Sequence, residues 1–270
     1  MIKVLVSGAA GRMGKRIIAL AHENDSIEIS GALEAPGNPT IGKDAGELAG
    51  IGPLGVRVTD DCESAIKTCD VIIDFSSPAA TVRNVEEASR AGKAIVIGTT
   101  GLSEDQKTIV AEAGSKIRCL MAPNMSLGVN LLFNLVEQVA SVIGDDYDIE
   151  IIESHHNLKK DAPSGTAVKL AEIIAAKLKR NLSEVGVYGR QGIVGARKPK
   201  EIGIMAVRAG DIVGEHTVMF ATNGERIELT HKAHSRDAFA KGAVQAALWL
   251  VIQPAGLYDM RDVLGLRAAK

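Results

Sequence analysis

The sequence predicts an α/β fold in which a doubly wound parallel sheet is joined to an α+β domain with a mixed sheet. In the first 126 residues, short and almost wholly apolar runs alternate with helical patterns, as expected when helices cover both faces of a parallel sheet. A glycine-rich turn separates the first strand from the first helix. Strands of period-two alternation then dominate from Ile202 to Lys232, which indicates a second kind of sheet.

The first predicted domain comprises residues 1–126 and is completed by C-terminal helices in residues 236–270. Its strands are Ile2–Val6, Ile27–Leu33, Val56–Val58, Val71–Phe75, Ala94–Ile97 and Ile117–Met121. Its helical patterns are Met13–His22, Thr81–Ala91, Arg236–Val251 and Tyr258–Leu264.

Residues 127–235 form the second predicted domain. Its helices are Leu127–Val142 and Pro163–Arg180, and its strands are Asp148–Glu153, Ile202–Arg208, Glu215–Ala221 and Arg226–Lys232. Asn223-Gly224 is a strong signal for a hairpin between the last two strands. Gly186–Lys200 is rich in glycine and basic residues without periodicity, which predicts a mobile loop.

The composition is that of an ordinary globular protein and argues against several partners. The 270 residues include 31 Lys and Arg against 33 Asp and Glu, with a net charge of −2, whereas nucleic-acid binders have a basic excess. No apolar run reaches the roughly 18 residues of a membrane span, and we expect no secretory signal. The three widely spaced cysteines predict reduced thiols and a cytoplasmic protein.

The glycine-rich turn predicts a dinucleotide site in a Rossmann-like domain. Gly8 permits a tight turn, Gly11 lets the backbone approach a pyrophosphate, and Gly14 allows the helix to pack closely on the strand. The helix N-terminus then offers N–H groups and a favourable dipole to the phosphates. Three basic residues are near enough in sequence to contact a phosphate: Arg12, Lys15 and Arg16.

Residues at the ends of other predicted strands point to the same crevice. Glu34 follows the second strand, where an acid accepts hydrogen bonds from the adenosine ribose, and Ala35 follows it where an arginine would meet a 2′-phosphate. The sequence therefore favours NADH over NADPH. Small and polar residues suited to the ribose and nicotinamide follow two further strands: Gly98, Thr99, Thr100 and Gly101, and Ala122, Pro123, Asn124, Met125 and Ser126.

A loop after strand Asp148–Glu153 carries groups for acid–base chemistry on an anion. A histidine such as His155 or His156 titrates near neutrality, and Lys159 adds a positive charge or a second proton. The Asp-Ala-Pro sequence that follows is a helix-start signal. It predicts a first turn whose N–H groups bind a carboxylate, at Ser164, Gly165 and Thr166.

Two other roles for these residue types are open. His231 and His234 could join the adjacent histidines around a metal ion, but no closely spaced acid–histidine set accompanies them, so no metal is predicted. Cys119 could be a thiol nucleophile at the nicotinamide. It lies inside an apolar strand, which favours a buried structural cysteine.

Taken together, these motifs resemble the 4-hydroxy-tetrahydrodipicolinate reductases, or dihydrodipicolinate reductases, of the diaminopimelate route to lysine. The residues that carry the resemblance are Gly8–Gly14, Asp74-Phe75, Gly98–Gly101, Glu153–His156, Lys159, Asp161–Thr166, Arg208–His216 and Thr230–Lys232. The resemblance covers essentially the whole chain in order. Some members have an arginine directly after the strand-two acid, where this chain has Ala35.

The resemblance implies specific roles. His155 and Lys159 would transfer protons, while His156 with Gly165 and Thr166 would hold the carboxylates of a dianionic cyclic substrate. The cofactor, NADH or NADPH, would contact Gly8, Ala9, Ala10, Gly11, Arg12, Met13, Glu34, Gly98, Thr99, Thr100, Ala122, Pro123, Asn124 and Met125. Family members are usually homotetramers joined through the sheet of the second domain, so Ile202–Lys232 is the expected interface.

Two competing functions make different predictions. An oxidoreductase acting on an amino-acid semialdehyde would need Cys119 or Cys69 at the nicotinamide. A dinucleotide sensor without turnover would bind the cofactor and be indifferent to substitution of His155 and Lys159.

Overall fold

The computed structural model describes residues 1–267, so the last three residues of the predicted C-terminal segment lie outside the described residues. In chain order the strands are β1 (Ile2–Ser7), β2 (Ile27–Leu33), β3 (Val58–Thr59), β4 (Val71–Asp74), β5 (Ala94–Ile97), β6 (Arg118–Met121), β7 (Asp148–His155), β8 (Gly186–Val187), β9 (Ile202–Arg208), β10 (Gly214–Thr222), β11 (Glu225–Ala233) and β12 (Gly256–Tyr258). The helices are α1 (Arg12–His22), α2 (Ala45–Ala49), α3 (Cys62–Lys67), α4 (Pro78–Ala91), α5 (Glu104–Gly114), α6 (Leu127–Ile143), α7 (Gly165–Lys177), α8 (Leu182–Val185), α9 (Asp237–Leu250) and α10 (Met260–Val263).

The chain divides into two compact units, one of residues 1–127 with the segment from Arg236 onward, the other of residues 128–235. The first unit contains a parallel sheet in the order β12-β6-β5-β4-β1-β2-β3. The strand order reverses between β1 and β4. The predicted doubly wound parallel sheet is therefore confirmed.

Helices cover both faces of this sheet, and its strands are accordingly apolar at successive positions. Val4 and Val6 of β1 pack into a core with α1 and α9, whereas Leu5 between them packs with α3, α4 and α5 on the opposite face. Alternate side chains of a strand point to opposite faces. A continuous apolar run is thus the sequence signature of a strand between two helical layers.

Sequence reasoning was wrong about Tyr258 and missed four helices. Tyr258 ends β12, which pairs in parallel with β6, and the helix that follows is one short turn. The missed helices are α2, α3, α5 and α8. In α5 a readable signal was present, since Ser103 and Gln106 form a reciprocal capping box at its start.

The second unit contains a mixed sheet in the order β11-β10-β7-β9-β8, with antiparallel and parallel pairs. Ile149 and Ile151 of β7 pack against α6 and α7 on one face of this sheet. The other face is not covered by these helices. The predicted mixed sheet is confirmed, and so is the hairpin, because β10 and β11 pair through the Asn223-Gly224 turn.

Arginines attach the loop of residues 188–201 to the sheet. Arg190 and Arg197 both donate to the carboxylate of Glu150 on β7. Arg197 also donates to the Ile149 and Glu201 carbonyl oxygens. The loop predicted as mobile from its composition therefore has several polar attachments to the sheet.

Candidate active site

The first unit has a cleft at the carboxyl ends of β1 and β4, where the strand order reverses. Ligands of open α/β sheets bind at this kind of point. The cleft has a volume of about 260 Å³ and is lined by Ser7, Gly8, Gly11, Leu33, Glu34, Ala35, Phe75, Ser76, Ser77, Ala80 and Arg83. Three predicted cofactor residues, Gly8, Gly11 and Glu34, therefore share one cleft.

The glycine turn is built so that side chains are sterically excluded from it. Gly8 has a φ of +76°, and a Cβ there would lie 2.3 Å from the carbonyl oxygen of Phe75. A Cβ at Gly14 would lie 2.1 Å from the carbonyl oxygen of Gly8. Helix α1 begins after Gly11 without a side-chain cap, so no cap competes with an anion for the first-turn N–H groups. The residues present thus fit the pyrophosphate of a dinucleotide.

Glu34 is fixed at the edge of the cleft by three N–H donors. One carboxylate oxygen accepts from the Ala10 N–H at 2.8 Å, which joins the glycine turn to the end of β2. The other accepts from the Asn38 side chain at 3.0 Å and from the Ala35 N–H at 3.2 Å. A carboxylate has about four acceptor positions, so Glu34 keeps capacity for a ribose hydroxyl.

A buried carboxylate, Asp74, connects the loops around this cleft. Asp74 is 0% exposed and accepts from the hydroxyls of Ser76 and Thr81, each at 2.5 Å. Asn84 joins the group by donating to Asp74 at 3.4 Å and to Ser7 at 2.8 Å. Burial raises the pKa of Asp74, and these donors oppose the rise. Asp74 therefore holds the end of β1, the start of α4 and its own loop in one arrangement.

The structure places the other predicted cofactor residues in three kinds of position. The residues Ala9, Thr99, Ala122 and Met125 are buried, Ala10, Met13, Gly98 and Asn124 are half-buried, and Arg12, Thr100 and Pro123 are exposed. Thr99 is committed to the protein, since its hydroxyl accepts from the Ser76 N–H at 3.0 Å. The buried members can offer a ligand little beyond their backbone.

Arg16, one of the three basic residues near the glycine turn, is paired with an acidic residue of α9. Its guanidinium forms a bidentate pair with Asp237 of α9, at 2.8 and 2.9 Å. Bidentate arginine–carboxylate pairs are among the stronger polar contacts in proteins. Arg16 therefore joins α1 to α9.

In the second unit, the predicted catalytic histidine is held by a carboxylate that sequence reasoning had given no role. Glu153 and His155 lie two residues apart on β7 and so share one face of the sheet. The Nδ1 of His155 lies 2.5 Å from Glu153, and Arg208 donates two hydrogen bonds to the same carboxylate, at 2.9 and 2.8 Å. Because an ionised carboxylate only accepts, His155 donates from Nδ1 and has its lone pair on Nε2.

The charge states of this group follow from its surroundings. Burial tends to raise the pKa of Glu153, but hydrogen bonds from Arg208 and His155 outweigh it and hold the pKa below its usual value. Burial lowers the pKa of His155, although Glu153 opposes this. The ring of His155 is therefore neutral at about pH 7.

A third buried side chain, His216 of β10, supports His155. The two rings pack edge to face with their centroids 5.2 Å apart. His216 Nε2 lies 3.0 Å from the hydroxyl oxygen of Ser164, and burial lowers the pKa of His216 to about 4. Gly214 on the same strand leaves room for the catalytic ring, since a Cβ there would lie 3.1 Å from His155 Nε2.

Ser164 has a different role from the one predicted. It is the N-cap of α7 and accepts from the Ala167 N–H, while its own N–H donates to Glu153 at 3.0 Å. Helix α7 begins at Gly165, so Pro163 lies outside it. Ser164 is buried and bound to protein groups on both its side chain and its N–H. It positions the helix start, and open space remains at Gly165, where an added Cβ would meet nothing within 4 Å.

Lys159 lies in the same loop and is ion-paired in the absence of ligand. Its ammonium contacts both carboxylate oxygens of Asp161, at 3.0 and 2.9 Å, and its side chain is 20% exposed. This pair lowers the pKa of Asp161. The positive charge of Lys159 also acts on His155. The two predicted proton-transfer residues are thus electrostatically coupled.

The described residues provide no support for a metal centre or a cysteine nucleophile. No group of three or more His, Cys, Asp or Glu side chains in residues 1–267 is arranged to hold a metal ion. Cys69 and Cys119 are buried, and burial raises the pKa of each thiol to about 12. No helix in this part of the chain is both long and apolar enough to cross a membrane.

Comparison with known proteins covers both units. Residues 2–125 match the family model for the N-terminus of dihydrodipicolinate reductase, and residues 128–264 match the model for its C-terminus. The chain is 52% identical over 267 residues to the 4-hydroxy-tetrahydrodipicolinate reductase of Citrifermentans bemidjiense, covering 99% of this chain and 100% of that relative. It is 54% identical over 270 residues to the enzyme of that name from Anaeromyxobacter dehalogenans, with both chains covered completely.

A solved structure gives the same result. The dipicolinate-bound dihydrodipicolinate reductase from Paenisporosarcina sp. TG-14 superposes with a TM-score of 0.74 and 26% identity, covering 96% of this chain and 97% of that one. GenD2 from gentamicin A biosynthesis, in complex with NAD, shares the fold with a TM-score of 0.58 and 13% identity, over 100% and 88% of the two chains. The chain therefore belongs to the dihydrodipicolinate reductase family.

Proposed function

We propose that this chain is an NAD(P)H-dependent oxidoreductase that reduces 4-hydroxy-tetrahydrodipicolinate. The products are tetrahydrodipicolinate, the oxidised cofactor and water, and one proton is consumed. The observation that carries the proposal is the buried Glu153–His155–Arg208 group next to Lys159, in a chain that matches this family over its whole length. The reaction would belong to the diaminopimelate route to lysine.

The substrate would be held by positive charge and helix N–H groups. A cyclic dicarboxylate carries two negative charges, and His156, Lys159 and the first turn of α7 at Gly165 and Thr166 offer donors for them. In the ligand-free chain Lys159 is paired with Asp161. We infer that a substrate carboxylate competes with Asp161 for this ammonium.

His155 and Lys159 would then move the protons of the reaction. Water would leave first, as the hydroxyl and one proton of the neighbouring ring carbon. The bound cofactor supplies a hydride to the ring carbon that carried the hydroxyl, which leaves an enamine. A dianion beside the His155 ring favours its charged form, so the pKa of His155 rises on substrate binding and Nε2 takes up a proton. Lys159 or His155 protonates the enamine carbon, which restores an imine. General acid catalysis of this kind contributes about 10² to 10⁴ in rate.

The nicotinamide cofactor would lie in the cleft of the first unit. The glycine turn would hold the pyrophosphate, and Glu34 the adenosine ribose, with NADH favoured by Glu34 and Ala35. The remaining predicted contacts, at Gly98–Thr100 and Ala122–Met125, would lie towards the nicotinamide. We infer that residues 1–126 with the C-terminal segment bind the dinucleotide, and that residues 127–235 bind the substrate.

The second unit would also form a homotetramer. The face of its sheet that α6 and α7 leave uncovered has apolar side chains at Ile152, Met205 and Val207, and Val207 is 42% exposed. Large exposed apolar patches mark interaction surfaces. Size-exclusion chromatography with light scattering would test this, and a monomeric mass would contradict it. The buried free cysteines support a cytoplasmic location, which cell fractionation would test.

The deciding experiment is cofactor oxidation coupled to substrate supply. The substrate would be made in situ by a synthase from pyruvate and aspartate semialdehyde, and oxidation of NADH and NADPH would be followed by absorbance. We expect oxidation that depends on the synthase. His155→Gln and Lys159→Ala should each lower kcat by about two orders of magnitude or more, whereas Lys160→Ala, which changes the neighbouring exposed lysine, should not.

Three results would separate the competing functions, beside a calorimetric measurement of dipicolinate binding. A sensor would bind the cofactor, show no synthase-dependent oxidation and tolerate both substitutions. A semialdehyde oxidoreductase would lose activity on thiol modification. Full turnover in both variants would refute the roles given to His155 and Lys159.

A further inference from the structure

Arg83 stands out because it lines the cofactor cleft without forming an ion pair within residues 1–267. It lies on α4 and is the basic residue among those that line the cleft, which also include Glu34 and Ala35. Its Nε is buried without a hydrogen-bond partner, and within residues 1–267 its guanidinium forms no ion pair. Most charged side chains that lose water are paired, so this one is suited to an anionic ligand.

The neighbours of Arg83 do not neutralise it. The guanidinium lies beside the thiol of Cys62, which is uncharged at about pH 7 because burial raises the pKa of that thiol. Arg90, about two helical turns further along α4, is by contrast paired with Glu86 and Glu87. The two arginines of this helix therefore differ in their charge partners, because carboxylates of the described residues neutralise Arg90 and not Arg83.

The charge of Arg83 is important because Glu34 lines the same cleft. In a cleft of about 260 Å³, Glu34 marks the place of the adenosine ribose, and its carboxylate would repel a 2′-phosphate. Three protein N–H groups already donate to that carboxylate, which disperses its charge. A guanidinium in the same small cleft offsets the remaining repulsion, because it attracts a phosphate most strongly where water is partly excluded.

We propose that Arg83 determines cofactor specificity by binding the 2′-phosphate of NADPH, in place of an arginine after the strand-two acid. The inference rests on the proposed function, because it assumes that this cleft holds the adenosine half of a nicotinamide dinucleotide. The chain would then accept both cofactors: Glu34 serves the ribose hydroxyl of NADH and Arg83 the phosphate of NADPH. Guanidinium is the side-chain group best matched to phosphate.

Two small ligands test the proposal without turnover. Calorimetric titrations would compare adenosine 2′,5′-bisphosphate with 5′-AMP on the wild-type chain and on Arg83→Ala, Arg83→Lys and Arg90→Ala. Arg83→Ala should weaken the bisphosphate about tenfold to hundredfold, the range for a hydrogen bond to a charged group, and change 5′-AMP less than about threefold on the same scale. Arg83→Lys should be intermediate and Arg90→Ala unchanged. In the coupled assay, the NADPH to NADH ratio of kcat/KM should fall by the same factor in Arg83→Ala.

The outcomes distinguish this proposal from the function beneath it. Equal weakening of both ligands would mean that Arg83 stacks on the adenine, and unchanged binding would mean that it contributes nothing; either result overturns the 2′-phosphate assignment and leaves the nucleotide site intact. Failure of the wild-type chain to bind either ligand would overturn the site itself and the specificity role with it.

Discussion

Replacing Glu153 by glutamine tests the buried group that orients His155. The carboxylate accepts four N–H donors: one oxygen takes Ser164 N–H and one Arg208 nitrogen, the other takes His155 Nδ1 and the second Arg208 nitrogen. A glutamine offers one acceptor oxygen and an NH₂ group. If the oxygen serves Ser164, the NH₂ faces His155 Nδ1 and forces its proton onto Nε2. The reverse orientation sets the NH₂ against the Ser164 N–H.

The expected loss follows from these contacts. The wrong histidine tautomer costs about 10⁴ in kcat in a catalytic triad, so we expect a fall of about 10³-fold or more, which is at least about 4 kcal/mol in activation free energy. Removing one partner of a buried charged pair costs about 3–5 kcal/mol of folding stability. Because Arg208 is partly exposed to water, the loss should lie at or below the lower limit of that range. The assays are coupled cofactor oxidation and chemical denaturation.

Glu150 supplies the matched control. It lies on the same strand and is also held by two arginines, Arg190 and Arg197, but on the opposite face. Glu150→Gln should lose stability while its kcat, compared at the same oligomeric state, stays within about twofold of wild type, as expected for a residue outside the reacting group. A folded Glu153→Gln variant with kcat within about threefold of wild type would refute the tautomer argument.

Three further predictions concern buried groups. His216, whose pKa burial lowers to about 4, is neutral in the folded chain and titrates near 6.5 when unfolded. Its neutral form contributes about 3 kcal/mol to the free energy of unfolding. This contribution is full above about pH 6.5 and is lost as the pH falls to about 4. Stability curves of His216→Gln should show a flatter slope over that window, and an unchanged slope would contradict the assignment. Asp74→Asn should raise the cofactor KM about tenfold and leave the substrate KM unchanged, because the loops around the cleft lose hydrogen bonds worth about 1–3 kcal/mol. Equal increases in both KM values would instead indicate a disturbance of the whole fold. Iodoacetamide at about pH 7.5 should leave activity intact, because burial raises the pKa of Cys69 and Cys119 to about 12 and thiolates alone react; rapid inactivation would favour a cysteine mechanism.

The parts of this fold that sequence predicts well are local ones. Ile27–Leu33, Ala94–Ile97 and Ile202–Arg208 have the predicted bounds, because each is a β-branched run ended by turn residues. Tyr258 was misread because a three-residue strand has too little pattern, and its conformation depends on pairing with β6. Short strands are set by their neighbours in the sheet.

The residues of the candidate site also differ in whether a local sequence pattern reveals them. The glycine turn, Glu34 and the His155–Lys159 loop are each contiguous in sequence and could be found there. The carboxylate–histidine group could be found only in part: the alternation of Glu153 and His155 places them on one face, but Arg208 is 55 residues away. Its contact depends on the register of β7 and β9, and Arg83 likewise reaches its cleft only through the packing of α4 on the sheet. Such long-range placement has no local sequence signal.

The split first unit has a consequence for how the chain is made. Helix α9 contributes Ala240, Ala243 and Leu250 to the same core as α1, and β12 completes the sheet beside β6. During synthesis these segments leave the ribosome only after the whole of residues 128–235. Until then the face of the N-terminal sheet on which α1 packs lacks α9 and stays partly uncovered while the intervening unit folds. When residues 1–235 have left the ribosome and the segment from Arg236 onward is still inside it, a stalled nascent chain should have a second unit that resists protease and a first unit that does not.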